Sequence, residues 1–119
     1  MLLDSHCHLT HHKFVEEGWD VTRILSEARE QGVFETLHIC CRIRNEFEQF
    51  ILPTAQNHDG VWCTVGTHPH EASNEIYSAE DIISRTGHEK VIGIGECGLD
   101  YYYDFASVED QKQVFRTHI

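Results

Sequence analysis

Long apolar runs are absent from the sequence. No stretch approaches the roughly 18 apolar residues of a membrane span, and the opening MLLDSHCHLT places Asp4, His6 and His8 where a secretory signal needs an unbroken apolar segment. We therefore expect a cytoplasmic protein with no membrane partner. With two prolines, 40% hydrophobic residues and 24% charged residues in 119, the composition is typical of a single globular unit.

Cysteine pairs with the spacing of a disulfide framework or a four-cysteine zinc site are also missing. The five cysteines are odd in number, include no CxxC pair and contain two direct neighbours, Cys40 and Cys41. We expect reduced and mostly buried thiols.

Basic residues are scarce. Nine lysines and arginines stand against 20 acidic residues, for a formal charge of −11. Such a chain lacks the cationic surface by which proteins usually hold nucleic acid. A polyanionic substrate would need another source of positive charge, and bound divalent cations can provide it.

Four short apolar runs, at about 1–6, 33–40, 61–66 and 91–96, alternate with stretches of helical spacing. Strands that alternate with helices of this length predict βαβ units and a parallel sheet, so the fold class is α/β. We expect four parallel strands in sequential order.

Capping and breaking residues predict the first helices. Asp20 is a suitable N-cap for a helix that ends at Gly32, which can adopt the left-handed conformation. A second helix is expected between residues 45 and 57 and would bury Phe47, Phe50 and Ile51. Pro53 should kink this helix or end it early, because proline lacks an amide donor.

Two serine-to-acid spacings, Ser78 with Asp81 and Ser107 with Asp110, are typical of capping boxes and start two further helices. His11 and His12 are assigned to a solvated loop. The last helix is predicted to place Val108, Phe115 and Ile119 on one face, with Val114 adjoining it.

The first strand ends on two histidines separated by one residue. Side chains two apart on a strand point to the same face, so His6 and His8 would project together, and neutral imidazoles are good ligands for zinc and similar metals. Chance is the competing interpretation, because ten histidines in 119 residues produce roughly one such pair at random.

The strand VIGIGE ends on an acidic residue. Ile92, Ile94 and Glu96 share one face, so an isolated carboxylate follows an apolar series. Parallel α/β folds bind their ligands at the carboxyl ends of the strands. His6, His8 and His68 are also predicted at these ends. Alternatively, Glu96 is a solvated loop residue and the histidines are satisfied polar groups.

Three segments resemble one known family. DSHCHL at 4–9, VGTHPHEA at 65–72 and IGIGECGLDYYYD at 92–104 look like the successive signatures of TatD-type metal-dependent deoxyribonucleases, and QKQVFRTHI is similar to that family's helix after the fourth strand. The resemblance implies that residues 1–119 are a single incomplete domain. Its parallel β/α units would form the amino-terminal half of a TIM (β/α)₈ barrel.

The resemblance also implies a metal centre. His6 and His8 would bind one of two divalent metal ions at the carboxyl rim of the barrel, and Glu96 would bridge both. Zinc, manganese, iron and magnesium are the candidate ions. Family members draw two further histidines and an aspartate from later strands, so one copy of these 119 residues would not complete the ligand set.

Other residues of the matched segments have more than one interpretation. The resemblance places His68 and His70 beside the metals, where His68 would act on a phosphate or leaving group as donor or acid; loop-anchoring hydrogen bonds are the alternative. Asp100 would orient a ligand or water molecule, or stabilise a turn. For the tyrosines at 101–103 we favour packing over stacking on unpaired bases.

The expected function is metal-dependent hydrolysis of phosphodiester bonds, with DNA as the substrate. The 119 residues alone are expected to be inactive, and the remaining carboxy-terminal half of the barrel or another chain would complete the site. The alternative is a non-catalytic amino-terminal remnant that serves only as a metal-binding or interaction module.

Overall fold

The computed structural model describes residues 1–119 and contains one parallel sheet of four strands. They lie in the order β1-β2-β3-β4, and each neighbouring pair is parallel. The predicted α/β class and the sequential strand order are confirmed. The strands are β1 (Leu2–Cys7), β2 (Val33–His38), β3 (Val61–Val65) and β4 (Val91–Ile94).

Helical segments follow every strand. Capping chemistry accounts for two of their starts: the Asp20 carboxylate accepts from the Arg23 amide at 2.8 Å, and Ser78 with Asp81 forms a complete capping box. The helical segments are α1 (His12–Glu16), α2 (Val21–Glu30), a π-helix (Ile43–Ile51) that continues into α3 (Leu52–Asn57), a 3₁₀ turn (Pro69–Glu71), α4 (Ala79–Thr86) and α5 (Val108–His118).

The segment between β2 and β3 corrects two expectations. Pro53 does not end the helix: it lies in the first turn of α3, where the π-helix changes directly to an α-helix. Phe47 and Ile51 are buried, but the predicted burial of Phe50 is wrong, since its side chain is 50% exposed. The wider turn of the π-helix changes which side chains share a face.

The histidine pair expected in a solvated loop instead begins a short helix. His11 is the N-cap of α1, where its Nδ1 accepts from the Lys13 amide at 3.3 Å, and His12 is the first residue of α1. A ring nitrogen therefore substitutes for the oxygen acceptor that usually marks a helix start.

The N-terminal cap of α5 and the face that this helix buries both differ from what the sequence predicts. Ser107 Oγ accepts from the Asp110 amide at 3.1 Å, but the Asp110 carboxylate accepts a hydrogen bond from Ser73 at 2.6 Å, so only half of the capping box forms. The predicted apolar face is wrong, because Val108 and Ile119 are exposed. The buried residues of this helix are Gln111, Val114 and His118.

The hydrophobic core lies on one face of the sheet. Val61, Cys63 and Val65 of β3 are completely buried in one cluster with residues of α2, the π-helix, α3 and α4. Ile92 and Ile94 of β4 are 58% and 43% exposed on the other face. The sheet thus has one packed face and one open face. None of the helices combines the length and apolar character needed to cross a membrane.

Candidate metal centre

Three side chains converge at the carboxyl ends of β1 and β4. Nε2 of His6 lies 3.3 Å from Nε2 of His8, and Oε2 of Glu96 lies 3.4 Å and 4.0 Å from these two nitrogens. One ligand atom from each residue fits within 4.8 Å of the others. The predicted convergence of these residues is confirmed, while their binding of a metal stays a prediction.

The spacing suits a divalent cation. Two ligands bound at about 2.1 Å to a tetrahedral zinc ion are about 3.4 Å apart, and the His6–His8 and His6–Glu96 separations are 3.3 Å and 3.4 Å. When both neutral rings carry their proton on Nδ1, two nitrogen lone pairs face each other across this gap. A cation between them would relieve that repulsion, so the residues fit a metal.

A close backbone contact brings Glu96 to the cluster. A Cβ atom on Gly66 would lie only 2.5 Å from the carbonyl carbon of Gly95, so a larger residue at position 66 would push the ends of β3 and β4 apart. The Glu96 amide donates to the Cys40 carbonyl oxygen at 2.8 Å. These contacts fix the backbone from which the carboxylate projects.

Cys41 connects two of the histidines. Its carbonyl oxygen accepts from the His68 amide at 2.9 Å, and its Sγ lies 3.8 Å from Nδ1 of His8. Burial raises the pKa of the Cys41 thiol to about 12, and the charge of Glu96 adds to this shift. The neutral sulfur can accept the Nδ1 proton of His8, which leaves Nε2 of that ring free for a metal.

His68 faces the second oxygen of Glu96. Its Nε2 lies 3.4 Å from Oε1, while its Nδ1 accepts from the His70 amide at 3.1 Å. A neutral imidazole whose Nδ1 accepts carries its proton on Nε2, so His68 is a donor at this position. Burial lowers the pKa of His68, against the opposing charge of Glu96.

His70 and Asp100 form a pair next to His68. Nε2 of His70 lies 2.6 Å from Oδ2 of Asp100, and this hydrogen bond is the main cause of a lowered Asp100 pKa. Asp100 also accepts from the Tyr102 amide at 2.9 Å, so it stabilises a turn as well as orienting His70. Gln111 of α5 accepts from the Asp100 amide at 2.7 Å and donates to its carbonyl oxygen at 3.0 Å.

Two side chains hold the end of β1. Asp4 accepts from the backbone amide of His6 at 3.0 Å and not from an imidazole. The buried His38 lies 3.5 Å from the Cys7 carbonyl oxygen through Nδ1 and 3.3 Å from Thr10 Oγ1 through Nε2. Burial lowers the pKa of His38 to about 4. His38 is the last residue of β2. The sequence argument that placed Glu96 at the carboxyl end of a strand could therefore have identified His38 as well.

Two more buried polar side chains position Thr67, which precedes His68. His118 of α5 accepts from the Thr67 amide at 3.1 Å, and Glu75 lies 3.4 Å from its hydroxyl oxygen. Sequence reasoning missed both, together with Gln111. Isolated polar residues in helical or loop segments are ordinarily solvent-facing, so no local pattern indicates their burial.

The tyrosines after β4 are exposed, so the packing expected for them is wrong in this chain. Instead, Tyr103 and Phe105 approach His70 with ring centroids 5.5 Å and 4.8 Å away. Tyr102 extends this series, 4.7 Å from Tyr103.

A groove of about 530 Å³ opens beside the cluster, bordered by His68 and His70 and by the ring of Phe50. Its volume is in the range of small-ligand pockets. Arg42 also lines it, but this guanidinium pairs with Glu46 at 2.7 Å.

Comparison with known proteins identifies the family. The model of the TatD related DNase family matches residues 3–119. The chain belongs to this family. It is 36% identical over 101 residues to the 3'-5' ssDNA/RNA exonuclease TatD of Dickeya dadantii, covering 84% of this chain and 38% of the relative. It is 30% identical over 122 residues to the uncharacterized metal-dependent hydrolase YabD of Bacillus subtilis, covering 100% of this chain and 45% of the relative.

A solved structure shares the fold. YJJV, a TatD homolog from Escherichia coli K12, aligns with a TM-score of 0.76 at 24% identity, over 98% of this TatD-family chain and 44% of the other chain. The neighbour is a TIM barrel, so the predicted parallel β/α units of half a TIM barrel are confirmed. The chain spans 38% to 45% of the curated relatives described above.

Proposed function

We propose that this chain carries the first half of the active site of a metal-dependent nuclease that hydrolyses phosphodiester bonds in DNA. The proposal depends on one observation, the convergence of two imidazole nitrogens and a carboxylate oxygen within 4.8 Å. Relatives named as an ssDNA/RNA exonuclease and as a metal-dependent hydrolase support it. A cytoplasmic location, and completion of the site by a carboxy-terminal half barrel or another chain, belong to the same proposal.

His6, His8 and Glu96 would hold the first of two divalent metal ions. When bound, the ions would supply an activated water and positive charge for the phosphate. Oε2 of Glu96 faces the histidine pair and Oε1 faces His68, so this carboxylate has one oxygen for each of two adjacent sites. Three protein ligands leave an open coordination position, as catalytic metal sites require.

His68 would act on the substrate and not on a metal. Its Nδ1 is occupied by the His70 amide, so its Nε2 proton is available to a phosphate oxygen or to the leaving oxygen. His70 and Asp100 would position this donor, because the His70 amide sets its protonation and Asp100 holds the ring of His70. The groove beside His68 would receive a nucleotide next to the cleaved phosphate.

The test compares cleavage with metal content. The protein, together with the carboxy-terminal half barrel or second chain that completes the site, is freed of metal with a chelator and reloaded with manganese or zinc. It is then assayed on an end-labelled DNA strand while bound metal is measured by mass spectrometry. We expect cleavage only in the metal-loaded form and a loss of at least about 100-fold in Glu96→Gln. His88→Gln is the matched control, because His88 is exposed and precedes β4, at the opposite end of the sheet.

Cleavage that survives both the chelator and Glu96→Gln would contradict the proposal. Metal binding by the wild-type protein without cleavage of DNA or RNA would support the alternative, a metal-binding or interaction module.

A further inference from the structure

An aromatic ledge, formed by Tyr102, Tyr103 and Phe105, lies in the loop between β4 and α5. These side chains are 85%, 50% and 63% exposed, respectively. Exposed aromatic rings are usually explained by a ligand or partner that covers them. The ledge belongs neither to the metal cluster nor to the groove.

The ledge is continuous with the metal centre through a series of rings. His68 and His70 have centroids 4.4 Å apart, Phe105 lies 4.8 Å from His70, and Tyr103 lies 5.5 Å from Phe105. Tyr102 ends the series in solvent. His68, which lies 3.4 Å from Glu96, is therefore the inner end of the series.

The outermost ring is open to stacking. Tyr102 meets Tyr103 edge to face, at an interplanar angle of 86°. An edge contact covers little of either ring face, so a flat ligand has access to Tyr102. The Tyr102 and Tyr103 amides donate to Asp100, so the backbone of this loop is fixed by hydrogen bonds that do not involve the rings.

Charge supports stacking as the means of holding a strand. The chain has nine basic residues against 20 acidic ones, and the guanidinium in the groove, that of Arg42, is paired with Glu46. Electrostatic attraction to a phosphate backbone is correspondingly weak. Base-on-aromatic stacking needs no positive charge and accepts every base, because each has a π face.

We propose that the aromatic ledge is a base-stacking subsite, on which Tyr102, Tyr103 and Phe105 hold unpaired bases of the bound strand. In a duplex the base faces are already covered by neighbouring pairs, so only an unpaired base can stack on the ledge. The inference rests on the proposed function for where the cleaved phosphate lies. Binding of unpaired bases, however, is measurable without catalysis.

The experiment separates base stacking from phosphate binding. Fluorescence anisotropy, with chelator present, measures binding of a labelled single strand, of the same strand in a duplex, and of an equally long base-free strand of tetrahydrofuran phosphates. Tyr102→Leu and Phe105→Leu remove a ring but keep apolar volume, and Tyr102→Phe keeps the ring. Phe34→Leu is the matched control, because Phe34 is 48% exposed and lies near the start of β2, away from the site.

We expect the wild-type protein to prefer the base-containing single strand to both other ligands. Each Leu variant should weaken that binding about tenfold and reduce the preference over the base-free strand, while Tyr102→Phe and Phe34→Leu retain wild-type affinity. Thermal melting of each variant checks that it is folded.

Equal affinity of the wild-type protein for the base-containing and base-free strands would overturn the inference. So would Leu variants that lose affinity for the two strands by the same factor. Failure of the proposed function looks different: the wild-type protein would show no metal-dependent cleavage, yet its preference for unpaired bases would remain.

Discussion

At the residue scale, the histidines around Glu96 are chemically unequal. His6 and His8 direct Nε2 at one point, and no backbone amide occupies the Nδ1 of either ring. Nδ1 of His68 accepts from the His70 amide, so the N–H of this ring is at Nε2. Hydrogen bonding at the far nitrogen decides whether a ring can bind a metal or can only donate a proton. Distance to the carboxylate alone would not separate these roles.

In a complete version of the protein, this difference predicts separate effects of mutation on metal content and turnover. His6→Ala, His8→Ala and Glu96→Ala should each reduce metal occupancy and nuclease rate. His68→Ala should keep its metal and lose about 100-fold or more in turnover, the contribution of a positioned proton donor. Metal analysis paired with kcat measurements checks this. Equal metal loss in all four variants would show that His68 is a ligand.

The buried His38 predicts a pH dependence of stability. The ordinary pKa of histidine, 6.5, applies in the unfolded chain, whereas burial lowers the folded value to about 4. Between these values the unfolded chain binds more protons, so this contribution is complete above pH 6.5 and is lost as pH falls toward 4. The full loss is at most roughly 3 kcal/mol.

Urea unfolding at pH 5.0 to 7.0 measures this effect in the wild-type protein and in His38→Gln. We expect the wild-type protein to lose stability across this interval and the variant to show a flatter profile, because glutamine does not titrate. Identical slopes in the two proteins would assign the pH dependence to other groups.

At the element scale, α5 acts as a clamp on the loops of the site. The Gln111 side chain hydrogen-bonds to the backbone amide and the backbone carbonyl oxygen of Asp100. His118 accepts from the Thr67 amide. One helix therefore fixes the loop that carries Asp100 and the residue before His68. The polar face of α5 is buried because its hydrogen-bonding partners lie on those loops.

Removal of the Gln111 side chain should destabilise the protein. Gln111→Ala leaves the Asp100 amide and the carbonyl oxygens of Asp100 and Ala106 without their partner, and we expect a loss of about 2–3 kcal/mol in unfolding free energy. Nuclease rate should fall as Asp100 and His70 lose their fixed positions. Denaturant unfolding and kinetics measure both effects.

Gln113→Ala is the matched control, because Gln113 is exposed on the same helix. It should change stability by less than about 0.5 kcal/mol. A similar loss in the two variants would mean that the clamp does not account for the effect, since alanine favours a helix at least as well as glutamine.

At the scale of the whole molecule, the sheet is closed on one face only. Leu2 and Leu3 of β1 are about as exposed as Ile92 of β4, at 60%, 61% and 58%, and β1 and β4 each have one neighbour in the sheet. Free edges and an uncovered apolar face promote association between chains. In a closed barrel, pairing of these edges would remove both features.

Residues 1–119 prepared as a separate polypeptide should therefore self-associate and lack nuclease activity. Sedimentation velocity should show species larger than a monomer, and Ile92→Lys should reduce them by placing charge on the open face. DNA cleavage with added manganese or zinc should be undetectable against a chelator control. A monomer with chelator-sensitive cleavage would show that this half of the site is sufficient.

The sequence by itself determined the strands and the position of the candidate metal ligands. Apolar runs locate all four strands because strand burial is local in sequence, and parallel strands necessarily share an edge for their carboxyl ends. Alternation along β1 and β4 then predicts His6, His8 and Glu96 on one face. The structure brings the three together, although β4 ends at Ile94 and the backbone at Glu96 is held by the Cys40 carbonyl oxygen.

Only the tertiary structure decided which polar groups are buried and which rings are open. The burial of His118 depends on the Thr67 amide, 51 residues away in sequence, and that of Gln111 depends on the loop at Asp100. Tyr102 and Phe50 are exposed because no element packs over them. Burial of a polar side chain requires a partner, and partners that meet only after folding leave no periodic pattern in the sequence.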